Sequence, residues 1–189
     1  MYKLRYRQIH LDFHTSEKIP GIGSRFDKRQ WQEALQTGHI DSITIFSKCH
    51  HGLSYHDTDV GVRHPHMEGE LLPQQIEACR EIDVNCPVYI SAGLDEAMIQ
   101  RRPEWGVVGK GGKVFNPLAA GFKRLCFNAP YLDYLCAQIE EVVQRFDTNG
   151  IFLDIIGAVP CYCKWCMESM VGEGIDPEND DQVRQFSFK

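Results

Sequence analysis

Four times along this chain a short apolar stretch gives way to a loop and then to an amphipathic helical pattern, and that recurrence constrains the fold most. Strand one is expected from about Arg5 to Phe13, strand two over Ser42–Ser47, strand three over Val88–Ala92 and strand four over Ile151–Ile156. Between them, Asp27 stands as a helix cap with Gln30 three residues on, and Gly38 ends that helix. Pro73 suits the first turn of the next, whose stripe is Leu72, Ile76, Cys79 and Ile82. Lys110-Gly111-Gly112-Lys113 marks a turn in a long loop. Pro130 opens the clearest helix, with Leu132, Leu135, Ile139, Val142 and Phe146 at helical spacing, and Asn149-Gly150 turns into strand four. A short helix is expected from Cys163 towards Val171, and the acidic tail after Gly172 has the character of further helix.

Alternating strands and helices imply a parallel sheet whose faces the helices cover. With no dinucleotide glycine fingerprint, four such units fit half of a TIM-type β/α barrel better than a Rossmann fold. A whole barrel takes about 250 residues. The 189 residues are therefore expected to be one truncated domain, the N-terminal part of a barrel, with no second domain or linker.

Composition narrows the partners. The net charge is −6 and no Lys/Arg run builds a basic face, which argues against nucleic acid. No apolar stretch approaches the roughly 20 residues that cross a bilayer, and no apolar signal core follows the basic Met1–Arg7. A cytoplasmic protein is expected. Its eight cysteines are scattered through apparent strands and helices, so reduced thiols are the default.

Barrel chemistry gathers where strands end at their C-terminal side. Period two puts His10, Asp12 and His14 on one face as strand one ends. Strand two runs into Lys48-Cys49-His50-His51-Gly52, and strand four into Asp154. A carboxylate between Leu153 and Ile155 is costly to bury without a task or partner. Its competing roles are a helix cap or an ion pair. His14, His50 and His51 are candidates for substrate binding against the plainer alternatives of structural or solvated histidines. Trp105 is a candidate sugar platform against simple loop packing. Cys161-x-Cys163-x-x-Cys166 puts three thiols together, but the chain offers no second spaced pair, so a reduced, metal-free turn is expected and no metal or cofactor is assigned.

Gln8–His14, Ser47–Gly52 and Asn149–Asp154, with Pro103-Glu104-Trp105 and the Cys161–Cys166 run, resemble the hypothetical glycoside hydrolase 6 family. The resemblance covers about Arg5 to Phe186. That family is similar in turn to α-L-fucosidases of glycoside hydrolase families 29 and 151. Family 29 carries Lys-His-His-Asp-Gly after strand two. Here Lys48 and His50-His51-Gly52 resemble it, with Cys49 inserted and the Asp absent. The resemblance implies retaining hydrolysis of a carbohydrate, with Asp154 as nucleophile, His14 and the paired histidines on the sugar, and a homo-oligomer in the full-length protein. It implies an acid/base carboxyl from a later strand or loop; Asp95, Glu96 and Glu104 do not match that position. Two other classes stay open. One is a metal-dependent amidohydrolase barrel, which would want His-x-His on strand one and a lysine on strand four. The other is a zinc-stabilised binding module built on the three cysteines.

Overall fold

A computed structural model describes residues 4–116 and 120–188. Four parallel strands form its centre in the order β1 (Gln8–His10), β2 (Ser42–Lys48), then two that we label by chain order β5 (Val88–Ser91) and β6 (Ile151–Asp154). Between β2 and β5 the segment expected as a polar loop adds two two-residue strands, β3 (Leu53–Ser54) and β4 (Val62–Arg63). β3 turns back antiparallel on the end of β2, and β4 runs parallel to β3. The sheet is open: among the described residues β1 pairs only with β2, and β6 only with β5.

Burial follows from position. Every residue of β2 and β5 is buried, whereas β6 keeps Phe152 and Leu153 exposed. β2 (SITIFSK) is buried at every residue although Ser42, Thr44, Ser47 and Lys48 are polar, and its apolar residues divide between the two faces. Ile43 and Ile45 face the helices, packing with Leu35 of α1 (Lys28–Thr37), Leu72 and Ile76 of α2 (Leu71–Glu81), and Val88 and Ile90 of β5. Phe46 faces the other side, where it stacks on Tyr89 at 3.9 Å between ring centroids, and Tyr89 stacks on Phe152. These three rings are direct cross-strand partners in register.

The helix signals act as their chemistry requires. Asp27 accepts from the Gln30 amide at 2.7 Å and Gly38 closes α1. The six-residue α3 (Glu96–Arg101), within the expected long loop, is capped by Asp95, which accepts from the Met98 amide. α4 (Tyr131–Arg145) begins just after Pro130 and turns most of its expected stripe inward: Leu135 and Val142 are buried and Ile139 and Phe146 pack against the core, whereas Leu132 is exposed and Tyr131 and Gln138 are buried as well. The cause is Lys48, at the end of β2 and with no exposed surface. It donates to Asp95 Oδ2 at 2.9 Å, Gln138 Oε1 at 3.1 Å and Tyr131 Oη at 3.3 Å. A buried ammonium needs acceptors on all sides, so α4 turns polar groups inward. α5 (Lys164–Gly172) and α6 (Asp180–Phe186) complete the chain, the latter capped by Asn179.

Candidate active site

The C-terminal ends of β1, β2, β5 and β6 bring their polar residues to one place. Asp154 is the last residue of β6 and lies in register with Ser91, the last of β5. Its Oδ2 accepts from the Tyr89 hydroxyl at 2.6 Å and its Oδ1 from the Ile155 amide at 2.7 Å. The carboxylate stays 36% exposed, so an incoming molecule can reach it. Ile155 holds φ at 58°, a costly region for a β-branched residue. Across from it, a side chain on Gly93 would meet the Ile155 carbonyl oxygen at 2.2 Å. Only glycine fits there, and the turn that presents Asp154 is locked against the one leaving β5.

The histidines are arranged by defined hydrogen bonds. The His50 amide donates to His14 Nδ1 at 3.2 Å, and the two rings stack at 4.1 Å. The Ser91 hydroxyl gives its proton to the Leu94 carbonyl, so it accepts from His50 Nδ1 at 2.7 Å. That leaves His50 Nε2 as a lone pair, 3.8 Å from Asp154 Oδ2. Burial, the largest cause in each case, pushes the imidazoles of His14, His50 and His51 below their ordinary value of 6.5. All three are therefore neutral at pH 7. Asp12 lies between His10 Nε2 at 3.0 Å and His14 Nε2 at 3.5 Å; its carboxyl is held below the ordinary range chiefly by the His10 hydrogen bond.

Asp154, His14 and His50 thus converge, and His51 joins them through Phe122, whose ring lies 4.9 Å from His51 and 5.3 Å from His50. Trp105 lies elsewhere: half-buried against the main core, it carries the Arg102 guanidinium 5.7 Å over its ring. Among the described residues, no ring contact or hydrogen bond ties it to the histidines. The carboxylates beside strand three are engaged: Asp95 with Lys48, Glu96 with Lys123, Glu104 with Arg102. Sequence reasoning missed Tyr89, Ser91 and Phe122. Period two in β5 was the signal for the first two, since it puts Tyr89 and Ser91 on one face. Phe122 carried none.

The expected shortage of metal ligands needs correction. A fourth thiol, Cys126, joins Cys161, Cys163 and Cys166, and all four sulfurs lie within 4.8 Å of one another. Spacing along the chain could not reveal it, because Cys126 is brought to the others only when the segments that follow β5 and β6 meet. This is the only grouping of three or more His, Cys, Asp or Glu with converging ligand atoms among the described residues. The amidohydrolase alternative finds no such histidine-carboxylate cluster there.

The model of the family described as hypothetical glycosyl hydrolase 6 matches residues 27–155. The chain belongs to that family. This hypothetical glycosyl hydrolase 6 member is similar to alpha-L-fucosidase isoenzyme 2 from Paenibacillus thiaminolyticus, at 44% identity and a TM-score of 0.93, over 97% of this chain and 28% of that one. In fold alone it is similar to two further structures. A hypothetical protein from Ruminiclostridium thermocellum matches at 12% identity and a TM-score of 0.59, over 84% of this chain and 81% of that one. An α-fucosidase from Thermotoga maritima in complex with fucose matches at 20% and 0.50, over 69% of this chain and 29% of that one. Comparison with curated proteins gives no match. The chain therefore spans 28% of the Paenibacillus enzyme's length.

Proposed function

We propose that this chain is the N-terminal, nucleophile-bearing half of a β/α barrel in a retaining α-L-fucosidase-like enzyme. The observation that carries this is an accessible carboxylate, Asp154, meeting His14 and His50 at the C-terminal end of a parallel sheet, in a glycosyl hydrolase family. Asp154 attacks the anomeric carbon of the bound sugar and forms a glycosyl-enzyme intermediate. A second carboxyl, about 5 Å away, protonates the departing oxygen and then activates water. That acid/base residue comes from a part of the enzyme outside this chain.

The neighbours have distinct tasks. Tyr89 holds one oxygen of Asp154 and leaves the carboxylate aimed outward. Neutral His50 accepts from a sugar hydroxyl through Nε2, while His14 and His51 border the same space. Phe122, rather than Trp105, offers the apolar ring face on which a pyranose stacks. A cytoplasmic location goes with this reading, since thiols free of disulfides persist in a reducing compartment, and a homo-oligomeric full-length protein is part of the same proposal.

The experiment is turnover of an aryl α-L-fucoside by the full-length protein, its Asp154→Ala variant, and residues 1–189 alone. The full-length protein should turn over, Asp154→Ala should lose nearly all activity, and azide should restore part of it by attacking from the vacated space. Residues 1–189 should be inactive, because general acid catalysis typically contributes about a hundred- to ten-thousand-fold. Near-full activity in Asp154→Ala would eliminate it as nucleophile.

A further inference from the structure

Four cysteines from three separate segments meet in the interior, none of them hydrogen-bonded to Asp154 or the site histidines among the described residues. Cys126 lies in the segment between α3 and α4, Cys161 and Cys163 lie in the loop after β6, and Cys166 sits in the first turn of α5. All four are at least 95% buried. Cys126 Sγ lies 3.4 Å from Cys166 Sγ and 3.6 Å from Cys163 Sγ. These separations are far beyond the ~2.05 Å of a disulfide. They approach the edge of a ZnS₄ tetrahedron, about 3.8 Å when each Zn–S bond is about 2.3 Å.

What surrounds the sulfurs points the same way. The Val108 amide aims at Cys161 Sγ at 3.5 Å, and the Asn128 side-chain amide donates to Cys166 Sγ at 3.3 Å. Neutral thiol sulfur is a weak acceptor, whereas N–H donors converging on sulfur suit metal-bound thiolates. Cys163 is the N-cap of α5 and Cys166 lies three residues on, where the helix dipole favours negative charge. A cleft of about 510 Å³ lined by Asn128, Cys126, Cys161 and Cys166 provides a way in for an ion.

We propose that Cys126, Cys161, Cys163 and Cys166 bind one structural zinc ion as a closed tetrahedral site. Four protein ligands leave no position for water or substrate, so the metal does no chemistry on the sugar. On binding, the four thiols release their protons and zinc takes four thiolates; nothing is oxidised or reduced. The ion joins the segment after β5, which carries Phe122, to the loop after β6, which starts beside Asp154. It therefore braces two walls of the candidate site without touching substrate. A multinuclear iron–sulfur cluster would hold the cysteine sulfurs further apart than direct contact.

The test is elemental analysis of full-length protein purified without added metal. About one zinc per chain is expected, released by an organomercurial as the thiols react. Cys126→Ser and Cys166→Ser should lose the zinc, whereas Cys136→Ser, an exposed cysteine on α4, should keep it. Because ligand variants can misfold, cobalt exchange into the wild-type protein supplies a second readout, with the visible bands of tetrahedral cobalt thiolate. Zinc-free protein whose four thiols all alkylate, disulfides by mass spectrometry, or iron in place of zinc would each overturn the assignment.

Discussion

A lysine with no exposed surface is stable only while its partners remain, and Lys48 has three. Lys48→Met should cost about 3–5 kcal/mol, because Asp95 is left as an uncompensated buried charge. Lys48→Met with Asp95→Asn should recover much of that, since asparagine can still cap α3 at the Met98 amide. Chemical denaturation of the two variants measures the difference, and equal losses would refute the pairing argument. Tyr89→Phe removes the donor to Asp154 while keeping the ring stack. It should lower kcat/KM about tenfold, equivalent to about 1.4 kcal/mol of a hydrogen bond to a charged group, with circular dichroism unchanged. Asp154 stands out in the sequence because a carboxylate interrupts an apolar strand. The burden on Lys48 does not, because Asp95, Tyr131 and Gln138 lie up to 90 residues away.

Elements were legible where local chemistry decides them. α1 has its cap, its apolar stripe and its closing glycine within twelve residues, and Asp27→Ala should destabilise it by about 1 kcal/mol in thermal or urea unfolding. The four parallel strands were found, each with frayed limits; β1 is three residues because only Gln8–His10 keep register with β2. α3, β3 and β4 were missed because two to six residues carry too little periodicity to read. The apolar stripe of α4 is legible in all but Leu132, but the burial of Gln138 is not, because periodicity scores it as a surface residue while the buried ammonium of Lys48 draws it inside. β6 shows what remains exposed. Phe152 and Leu153 are both surface-accessible on a strand that, among the described residues, is paired along one edge only. Residues 1–189 expressed alone should therefore self-associate. Analytical ultracentrifugation measures this, and a monodisperse monomer at high concentration would contradict it.

For the whole molecule, two buried histidines outside the candidate site, His56 and His64, contribute to how stability depends on pH. His56 is held by Ser47 Oγ and the Asp57 carbonyl, and His64 donates to the Ser16 carbonyl while accepting from the His66 amide. Burial lowers both below 6.5. Below pH 6.5 the unfolded chain binds protons that the folded one refuses, so stability falls as pH drops from 6.5 towards the lowered folded values. Above pH 6.5 both states are neutral and the contribution vanishes. Urea unfolding at pH 7.5 and 5.5 should give the smaller free energy at 5.5, and imidazole NMR should find both rings titrating below the ordinary histidine value of 6.5.

Loops that leave the ends of parallel strands are commonly treated as independent units that can be lengthened, grafted or shuffled one at a time. The contact of Gly93 with the Ile155 carbonyl removes that freedom here. Grafting a foreign loop after β6 that does not reproduce the backbone course at Ile155 would open a gap above Gly93. Replacing the turn at Gly93 with any residue bearing a side chain would push Ile155, and Asp154 with it, out of position. The two connections should therefore be inherited as a pair, and recombination breakpoints that keep activity should fall outside the span from Gly93 to Ile155.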